Sequence, residues 1–300
     1  MIYNKMLNKI ATPSETKKIL NKYNLRLKKG LGQNFLIDSN IIDIIINAAD
    51  IKGDELLIEI GPGIGSLTQA LLEELDSGQL IAVEKDAEMV AVLKEIFSQQ
   101  SNLKLLNEDA LEINWGKIGN ENREKEIKVI ANLPYYVTTP IIMGILESKI
   151  ELEKMIFMVQ KEVGERMCSG PGTKKFGSLS VAVQYHMKPE IVHQVPSSVF
   201  LPQPDVDSVI VSLSPYSKNP YQEEVIDQKF FFQIVKSIFQ QRRKTLRNSL
   251  SKSAVIDLDR DLVTEALELE GIGLKKRGEK LEISEMISIS NRLYKMMSKN

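Results

Sequence analysis

An apolar run followed at once by a glycine-rich turn is the feature that most constrains the fold of this chain. Residues 56–60 are Leu-Leu-Ile-Glu-Ile, which predicts a buried strand, and Gly-Pro-Gly-Ile-Gly follows at 61–65. A helical pattern then extends from Ser66 through Leu75. Strand, glycine turn and helix in this order form the nucleotide-binding start of a Rossmann-like sheet. The sequence therefore predicts an α/β fold.

Candidate cofactor contacts follow from this arrangement. Gly61 and Gly63 would let the main chain approach a cofactor closely, and the helix N-terminus would supply oriented N–H groups. The next apolar run ends at Glu84, about twenty residues after the glycines, where a carboxylate suits ribose hydroxyls. The third run ends near Asp109, which would accept a hydrogen bond from an adenine amino group. A dinucleotide-dependent oxidoreductase, or a turn without any ligand, fits the same pattern.

A second motif, Asn-Leu-Pro-Tyr-Tyr at 132–136, follows another apolar run. Asn132 would lie just past the carboxyl end of that strand, where open α/β sheets bind ligands. The Asn132 amide and the carbonyls of Leu133 and Pro134 accept hydrogen bonds, and a nucleobase can stack on Tyr135. This combination suits an extruded base with an exocyclic amino group. A plain turn with the tyrosine packed in the core fits the same residues.

Two other segments have more than one interpretation. Phe200 begins a loop stiffened by two prolines, and is either a core residue or the second wall of a stacking slot that faces Tyr135. The loop at 169–177 is either a connector or a phosphate contact. Thr139 is predicted to cap the helix after the second motif, with Pro140 at its first position.

A dense basic cluster stands out in a chain whose net charge is only −1. Arg243, Lys244 and Arg247 are expected on one helix, within a turn of one another, and Arg242 adds to the same positive patch. A solvated helix face is the alternative, but the local positive charge favours contact with nucleic-acid phosphates.

Cysteine and histidine usage argues against a metal site. Cys168 is the single cysteine, which excludes an intrachain disulfide, and His186 and His193 have no acidic or thiol cluster at ligand spacing.

No run is apolar and long enough to span a membrane, and the N-terminus has no apolar signal core. We therefore expect no metal and no membrane, a reduced cytoplasmic compartment and a monomer.

Composition along the chain predicts four segments. Residues 1–28 form a helical extension joined by a basic link at 28–32, and residues 29–214 form the catalytic domain. A linker at 215–227, rich in proline, serine and charge, leads to a small helical domain at 228–300.

Six blocks taken together resemble the ribosomal RNA adenine dimethyltransferases. They are residues 33–36, 59–63, 132–135, 160–163, 195–200 and 242–248, in the order and spacing of that family. The resemblance implies a Rossmann-like methyltransferase sheet that binds S-adenosylmethionine (SAM), followed by a small all-α domain. It further implies that Asn132 bridges the cofactor and the target base. The cofactor contacts implied are Asn34, Leu36, Gly61, Gly63, Glu84, Asp109 and Asn132.

The substrate implied by the resemblance is a pair of adjacent adenosines in the hairpin loop near the 3′ end of 16S rRNA, each dimethylated on its exocyclic nitrogen within the small ribosomal subunit. Ala131 and Tyr136 depart from the family pattern, which has Gly and Asn there. Three rival hypotheses are a macrolide-resistance methyltransferase of large-subunit rRNA, an NAD-linked oxidoreductase and a non-catalytic assembly factor. Leu133 and the block at 242–248 count against the first of these.

Overall fold

The computed structural model of the protein describes residues 8–25, 32–148 and 150–298. Most of the basic link predicted at 28–32 lies outside these residues, which include only Gly32 of it. Among the residues described, no helix combines the length and the apolar character needed to cross a bilayer.

Nine strands are described, and most of them form one sheet. They are β1 (Phe35–Leu36), β2 (Leu56–Ile60), β3 (Gln79–Val83), β4 (Leu103–Leu106), β5 (Ile127–Asn132), β6 (Lys154–Gln160), β7 (Lys188–Val195), β8 (Phe200–Leu201) and β9 (Ser208–Ser214). The order in the seven-stranded sheet is β4-β3-β2-β5-β6-β9-β7, parallel from β4 to β6 and antiparallel between β6 and β9. The short strands β1 and β8 pair separately. The predicted α/β class is confirmed.

Helices connect the strands and make up the C-terminal part. They are α1 (Pro13–Lys22), α2 (Ser39–Ala49), α3 (Ser66–Glu73), α4 (Ala87–Ile96), α5 (Trp115–Glu121), α6 (Thr138–Glu147), α7 (Lys161–Met167), α8 (Ser178–His186), α9 (Gln228–Gln240), α10 (Leu246–Ser251), α11 (Arg260–Leu269) and α12 (Ile283–Met297). The cap predicted for α6 is wrong, because α6 begins two residues earlier, at Thr138, and its N-cap is Val137, without a side-chain hydrogen bond. Thr138 Oγ1 instead donates to the Pro134 carbonyl.

Strand register determines where the site lies. All five residues of β2 are buried, as expected for a central parallel strand covered on both faces. Its last residue is level with the last residue of β3 on one side and with Ala131 on the other. The chain segments that follow β2, β3 and β5 therefore meet at one edge of the sheet, and this edge carries Gly61, Glu84 and Asn132.

The chain divides into two compact units. The first comprises Met1–Gly164 and Glu190–Ser214, and the second comprises Glu165–Pro189 and Pro215–Asn300. The sequence division had placed 165–189 in the catalytic domain. This segment instead packs with the C-terminal helices, where the Tyr185 ring lies 5.3 Å from the ring of Phe231, centroid to centroid. Burial of such aromatic side chains outweighs proximity in sequence.

The N-terminal helix α1 is part of the first unit. Thr12 caps it by accepting a hydrogen bond from the Glu15 N–H. Ile10 and Ala11, just before the helix, are buried in the core of this unit, and the Ile10 N–H donates to Gln69 Oε1 at 2.9 Å.

Candidate active site

A pocket opens at the carboxyl edge of the sheet in the first unit. It encloses about 1090 Å³, including the space at its open mouth. The structure brings together in its lining all the predicted cofactor contacts and most of the predicted base contacts. These are Asn34, Leu36, Gly61, Gly63, Glu84, Asp109, Asn132, Leu133, Pro134 and Tyr135.

The glycine turn at the floor of the pocket requires glycine for two reasons. Gly61 and Gly63 have φ values of 69° and 57°, in the left-handed region that side chains disfavour. A Cβ on Gly63 would also lie 3.0 Å from Cε1 of Phe35. The turn therefore brings bare main chain to the pocket surface.

Glu84, after β3, is held in a defined orientation. Its Oε2 accepts a hydrogen bond from the Gly63 N–H at 3.2 Å, and its Oε1 accepts one from the Asp86 N–H at 2.8 Å. Burial raises the pKa of this carboxyl above its ordinary value. These two contacts orient the carboxylate. Each of its oxygens can accept a further hydrogen bond, so it can bind hydroxyl groups of a ligand.

Glu59 lines the pocket from within β2, and the sequence analysis assigned it no role. It is 1% exposed and accepts a hydrogen bond from Thr68 Oγ1 at 2.6 Å. Burial raises its pKa to about 8, so the neutral form predominates at pH 7. The sequence feature that could have identified Glu59 is a charged residue inside an otherwise apolar run, one residue before its end.

Asp109, after β4, forms an ion pair with Lys85, whose Nζ lies 2.6 Å from Asp109 Oδ2. The Leu111 N–H donates to the other carboxylate oxygen at 3.0 Å. The hydrogen bond from Lys85 is the main cause that lowers the pKa of Asp109. This carboxyl is therefore ionised and available as an acceptor at neutral pH.

The lining of the pocket is rich in acidic groups. Glu59, Glu84, Glu108 and Asp109 contribute carboxyls, whereas Lys85 is the basic residue among the lining residues. Such a pocket suits a cofactor that carries positive charge, amines and hydroxyls. A pyrophosphate would face carboxylates there, which counts against the dinucleotide-linked oxidoreductase.

The amide of Asn132 has a defined orientation. Its Nδ2 donates to the main-chain carbonyl of Asn34 at 3.1 Å, so its Oδ1 is directed away from this contact as an acceptor. Among the neighbouring carbonyls, that of Pro134 already accepts from the Val137 N–H at 3.2 Å and from the Thr138 hydroxyl at 2.9 Å. Both lone pairs of the Pro134 oxygen are thus engaged.

Tyr135 and Tyr136 have different environments. The Tyr135 hydroxyl lies 2.8 Å from Oγ of Ser208, which is fully buried, and this contact anchors the ring. Burial raises the pKa of Tyr135 above its ordinary value. The Tyr136 side chain lines the pocket mouth and is 55% exposed.

Phe200 does not occupy the position predicted for the second stacking wall. It is 3% exposed, belongs to the core cluster of the first unit and is not among the pocket-lining residues. The reason is the pairing of β1 with β8, which sets Phe200 opposite Leu36 in a buried two-stranded ladder. Of the two predicted alternatives, the structure shows Phe200 as a core residue.

The basic cluster at 242–247 lies in the second unit and is not helical throughout. Helix α9 ends at Gln240, so the turn between α9 and α10 contains Arg242, Arg243 and Lys244, which are all exposed. Arg247 lies in the first turn of α10 and is half-buried. The prediction of one continuous helix is therefore wrong.

Arg242 differs from its neighbours because it makes contacts within its unit. Its Nη2 donates to the carbonyls of Lys174 and Phe176, at 2.8 Å and 3.0 Å, and lies 3.4 Å from Glu279 Oε2. This guanidinium joins the loop at 169–177 to the turn before α12. The contacts of Arg242 therefore hold this loop in place.

A second basic run, Lys-Lys-Arg at 275–277, was missed by the sequence analysis. The Leu246 N–H donates to the Lys276 carbonyl at 2.8 Å, which places this run beside the start of α10. The second unit as a whole contains 20 basic and 13 acidic residues, whereas the first contains 19 basic and 27 acidic residues. Positive charge is therefore concentrated in the helical unit.

Comparison with known proteins identifies the family to which this chain belongs. A model of the ribosomal RNA adenine dimethylase family matches residues 24–295. The chain belongs to this family. The resemblance predicted from the sequence is confirmed, and the protein is a ribosomal RNA adenine dimethyltransferase.

Individual members of the family match over nearly their whole length. A ribosomal RNA small subunit methyltransferase A from Halothermothrix orenii is 51% identical, with 96% of this chain and 95% of that protein covered. The protein of the same name from Alkaliphilus metalliredigens is 45% identical, with 95% and 98% covered.

Similar chains occur among solved structures, for example in the following two. A dimethyladenosine transferase from Plasmodium falciparum has a TM-score of 0.73 at 25% identity, with 87% of this chain and 98% of that chain covered. The 23S rRNA methyltransferase ErmE has a TM-score of 0.63 at 23% identity, with 87% and 100% covered, and shares the fold. Over the residues that the structure describes, no group of His, Cys, Asp or Glu side chains is arranged to hold a metal ion.

Proposed function

We propose that this enzyme transfers methyl groups from SAM to the N6 atoms of two adjacent adenosines in the 3′-terminal hairpin loop of 16S rRNA. It would act as a monomer in the cytoplasm, during biogenesis of the small ribosomal subunit. The observation that carries the proposal is the oriented amide of Asn132, beside an acidic pocket at the carboxyl edge of the sheet. The names of the two relatives support the choice of the small subunit.

The pocket residues fit SAM, because the chemistry of the lining is complementary to it. SAM supplies a methyl group activated by a sulfonium cation, and it carries an amine and hydroxyls. Glu84 would accept hydrogen bonds from the ribose hydroxyls, and Asp109 from the adenine amine. Gly61 and Gly63 would allow close main-chain approach, while the segment that contains Asn34 and Leu36 would form the opposite wall.

Asn132 and Leu133 would orient the target amine. The lone pair of an adenine amine is delocalised into the ring, so the amine becomes a good nucleophile only when it is held pyramidal. Asn132 Oδ1 would accept one of its hydrogens, and the Leu133 carbonyl the other. Leu133 is preferred to Pro134 because the Pro134 carbonyl already accepts two hydrogen bonds.

Orientation would then be the main catalytic contribution of the chain. Tyr135 would support the base by stacking, with its ring anchored through Ser208. The alkylated amine is acidic enough to lose its proton to water or to a carbonyl. A dedicated general base is not needed, and Glu59 is not required in that role.

The second unit would bind the RNA backbone. Its excess of basic residues supplies a positive field, and Arg243, Lys244 and Arg247 would contact phosphates. The run at 275–277 adds charge beside them. Arg242 would contribute mainly by holding the loop at 169–177.

The test is methyl transfer from labelled SAM to small ribosomal subunits that lack these methyl groups, with the product mapped by primer extension. We expect stops at two neighbouring adenosines of the 3′-terminal hairpin. Labelling of large-subunit RNA alone would assign the protein to the resistance class. SAM binding without any transfer would favour the assembly-factor hypothesis.

A further inference from the structure

We infer that Tyr136 is a second stacking platform, which binds the nucleobase adjacent to the adenosine held in the pocket. The inference rests on the proposed function, because it assumes that the pocket receives a base from RNA. It adds a contact outside the pocket that would determine how the neighbouring nucleotide is held during transfer.

The first argument is the position of the ring. Tyr136 lines the mouth of the same pocket as Asn132 and Tyr135, yet 55% of it is exposed. Gly32 lies beside the ring, because a Cβ on Gly32 would be 3.3 Å from its Cδ1 atom and 3.5 Å from its Cε1 atom. An exposed aromatic ring in this position can stack a base with little loss of conformational freedom.

The second argument is the environment of the ring. Lys85 lines the same pocket as Tyr136, and its ammonium lies 2.6 Å from Asp109 Oδ2. Proteins that bind single-stranded nucleic acid combine exposed aromatic rings with basic side chains in this way.

The third argument is the contrast with Tyr135. The Tyr135 hydroxyl is tied to the buried Ser208, whereas Tyr136 points to the mouth. Consecutive tyrosines in one turn thus present one ring inside and one ring outside. Since the proposed substrate has two adjacent target adenosines, two consecutive tyrosines offer one stacking surface to each base.

The experiment compares Tyr136→Ala and Tyr136→Phe with the wild-type enzyme on under-methylated small subunits. Loss of one stacked base predicts a KM for subunits raised roughly 5- to 150-fold in Tyr136→Ala. Tyr136→Phe keeps the ring and should stay within about two-fold of wild type. The Kd for SAM, measured by calorimetry, should be unchanged in both. Val192→Ala is the control, because Val192 is 41% exposed and lies on the edge strand β7, outside the pocket lining.

A direct readout uses subunits in which 2-aminopurine replaces one adenosine of the pair. Stacking on Tyr136 should quench its fluorescence on binding of the wild-type protein and of Tyr136→Phe, but not of Tyr136→Ala. An unchanged KM and unchanged quenching in Tyr136→Ala, with normal transfer by the wild-type enzyme, would overturn this inference alone. Absence of transfer to small subunits by the wild-type enzyme would overturn the proposed function and this inference with it.

Discussion

The side-chain amide of Asn132 donates a hydrogen bond to the main-chain carbonyl of Asn34, at 3.1 Å and across 98 positions of the chain. This contact joins the end of β5 to the segment that leads into β1. It also determines which end of the amide is available as an acceptor, because Nδ2 is engaged. The geometry of the proposed amine site therefore depends on a segment far from the motif itself.

Asn132→Asp tests this contact. An aspartate cannot donate to the Asn34 carbonyl and would be repelled by it, so the acceptor should lose its orientation. We expect methyl transfer to fall about 100-fold or more, with binding to small subunits within about two-fold of wild type. Asn122→Asp is the control, since the Asn122 amide also donates to a carbonyl but lies at the C-cap of α5. Transfer near the wild-type rate in Asn132→Asp would remove the orienting role.

Arg243→Ala and Lys244→Ala test the phosphate contacts. Each substitution should weaken binding to small subunits and lower the slope of log K against log salt concentration by about 1. Filter binding at several salt concentrations measures both effects. Lys117→Ala removes an exposed lysine of the first unit and should leave the slope unchanged. An unaltered slope in the two test variants would exclude these residues from the RNA interface.

Arg242→Lys separates a structural role from simple charge. Lysine keeps the positive charge, but its side chain is shorter than that of arginine, so its ammonium cannot occupy the position from which Nη2 contacts two carbonyls and Glu279. We expect thermal unfolding at lower temperature, with a loss of about 1–3 kcal/mol in the free energy of unfolding. A variant as stable as wild type would show that the contacts of Arg242 contribute little.

Glu59→Gln tests the buried carboxyl. With a pKa of about 8 in the folded protein and an ordinary value of 4.5, Glu59 is protonated in the folded state and ionised in the unfolded state between these pH values. Its contribution to stability therefore falls as pH rises through this window. Glutamine has no proton to lose and keeps an oxygen for Thr68.

The free energy of unfolding of Glu59→Gln should accordingly fall less between about pH 5 and pH 8 than that of the wild type. Urea unfolding at several pH values measures the difference, with Glu73→Gln on the exposed side of α3 as the control. Parallel loss of stability in Glu59→Gln and wild type would mean that Glu59 is ionised in the folded protein.

Local sequence was sufficient for much of the fold. The strand at 56–60 and the glycine turn after it are determined by residues close together in the chain, because burial on both faces requires an unbroken apolar run and the turn requires positive φ. Register then brings the ends of β2, β3 and β5 to one edge. The predicted grouping of Gly61, Glu84 and Asn132 followed from these patterns.

Packing between distant residues determined what local patterns could not. A motif indicates that Asn132 lies at a strand end, but the direction of its amide depends on the Asn34 carbonyl. Phe200 fits a core or a pocket equally well until the pairing of β1 with β8 buries it. Arg242 is the type of residue that contacts phosphates, yet its Nη2 donates to main-chain carbonyls more than sixty positions away in the chain. Sequence periodicity reports which face of an element is buried, whereas the partner of each polar atom is decided only when the elements pack together.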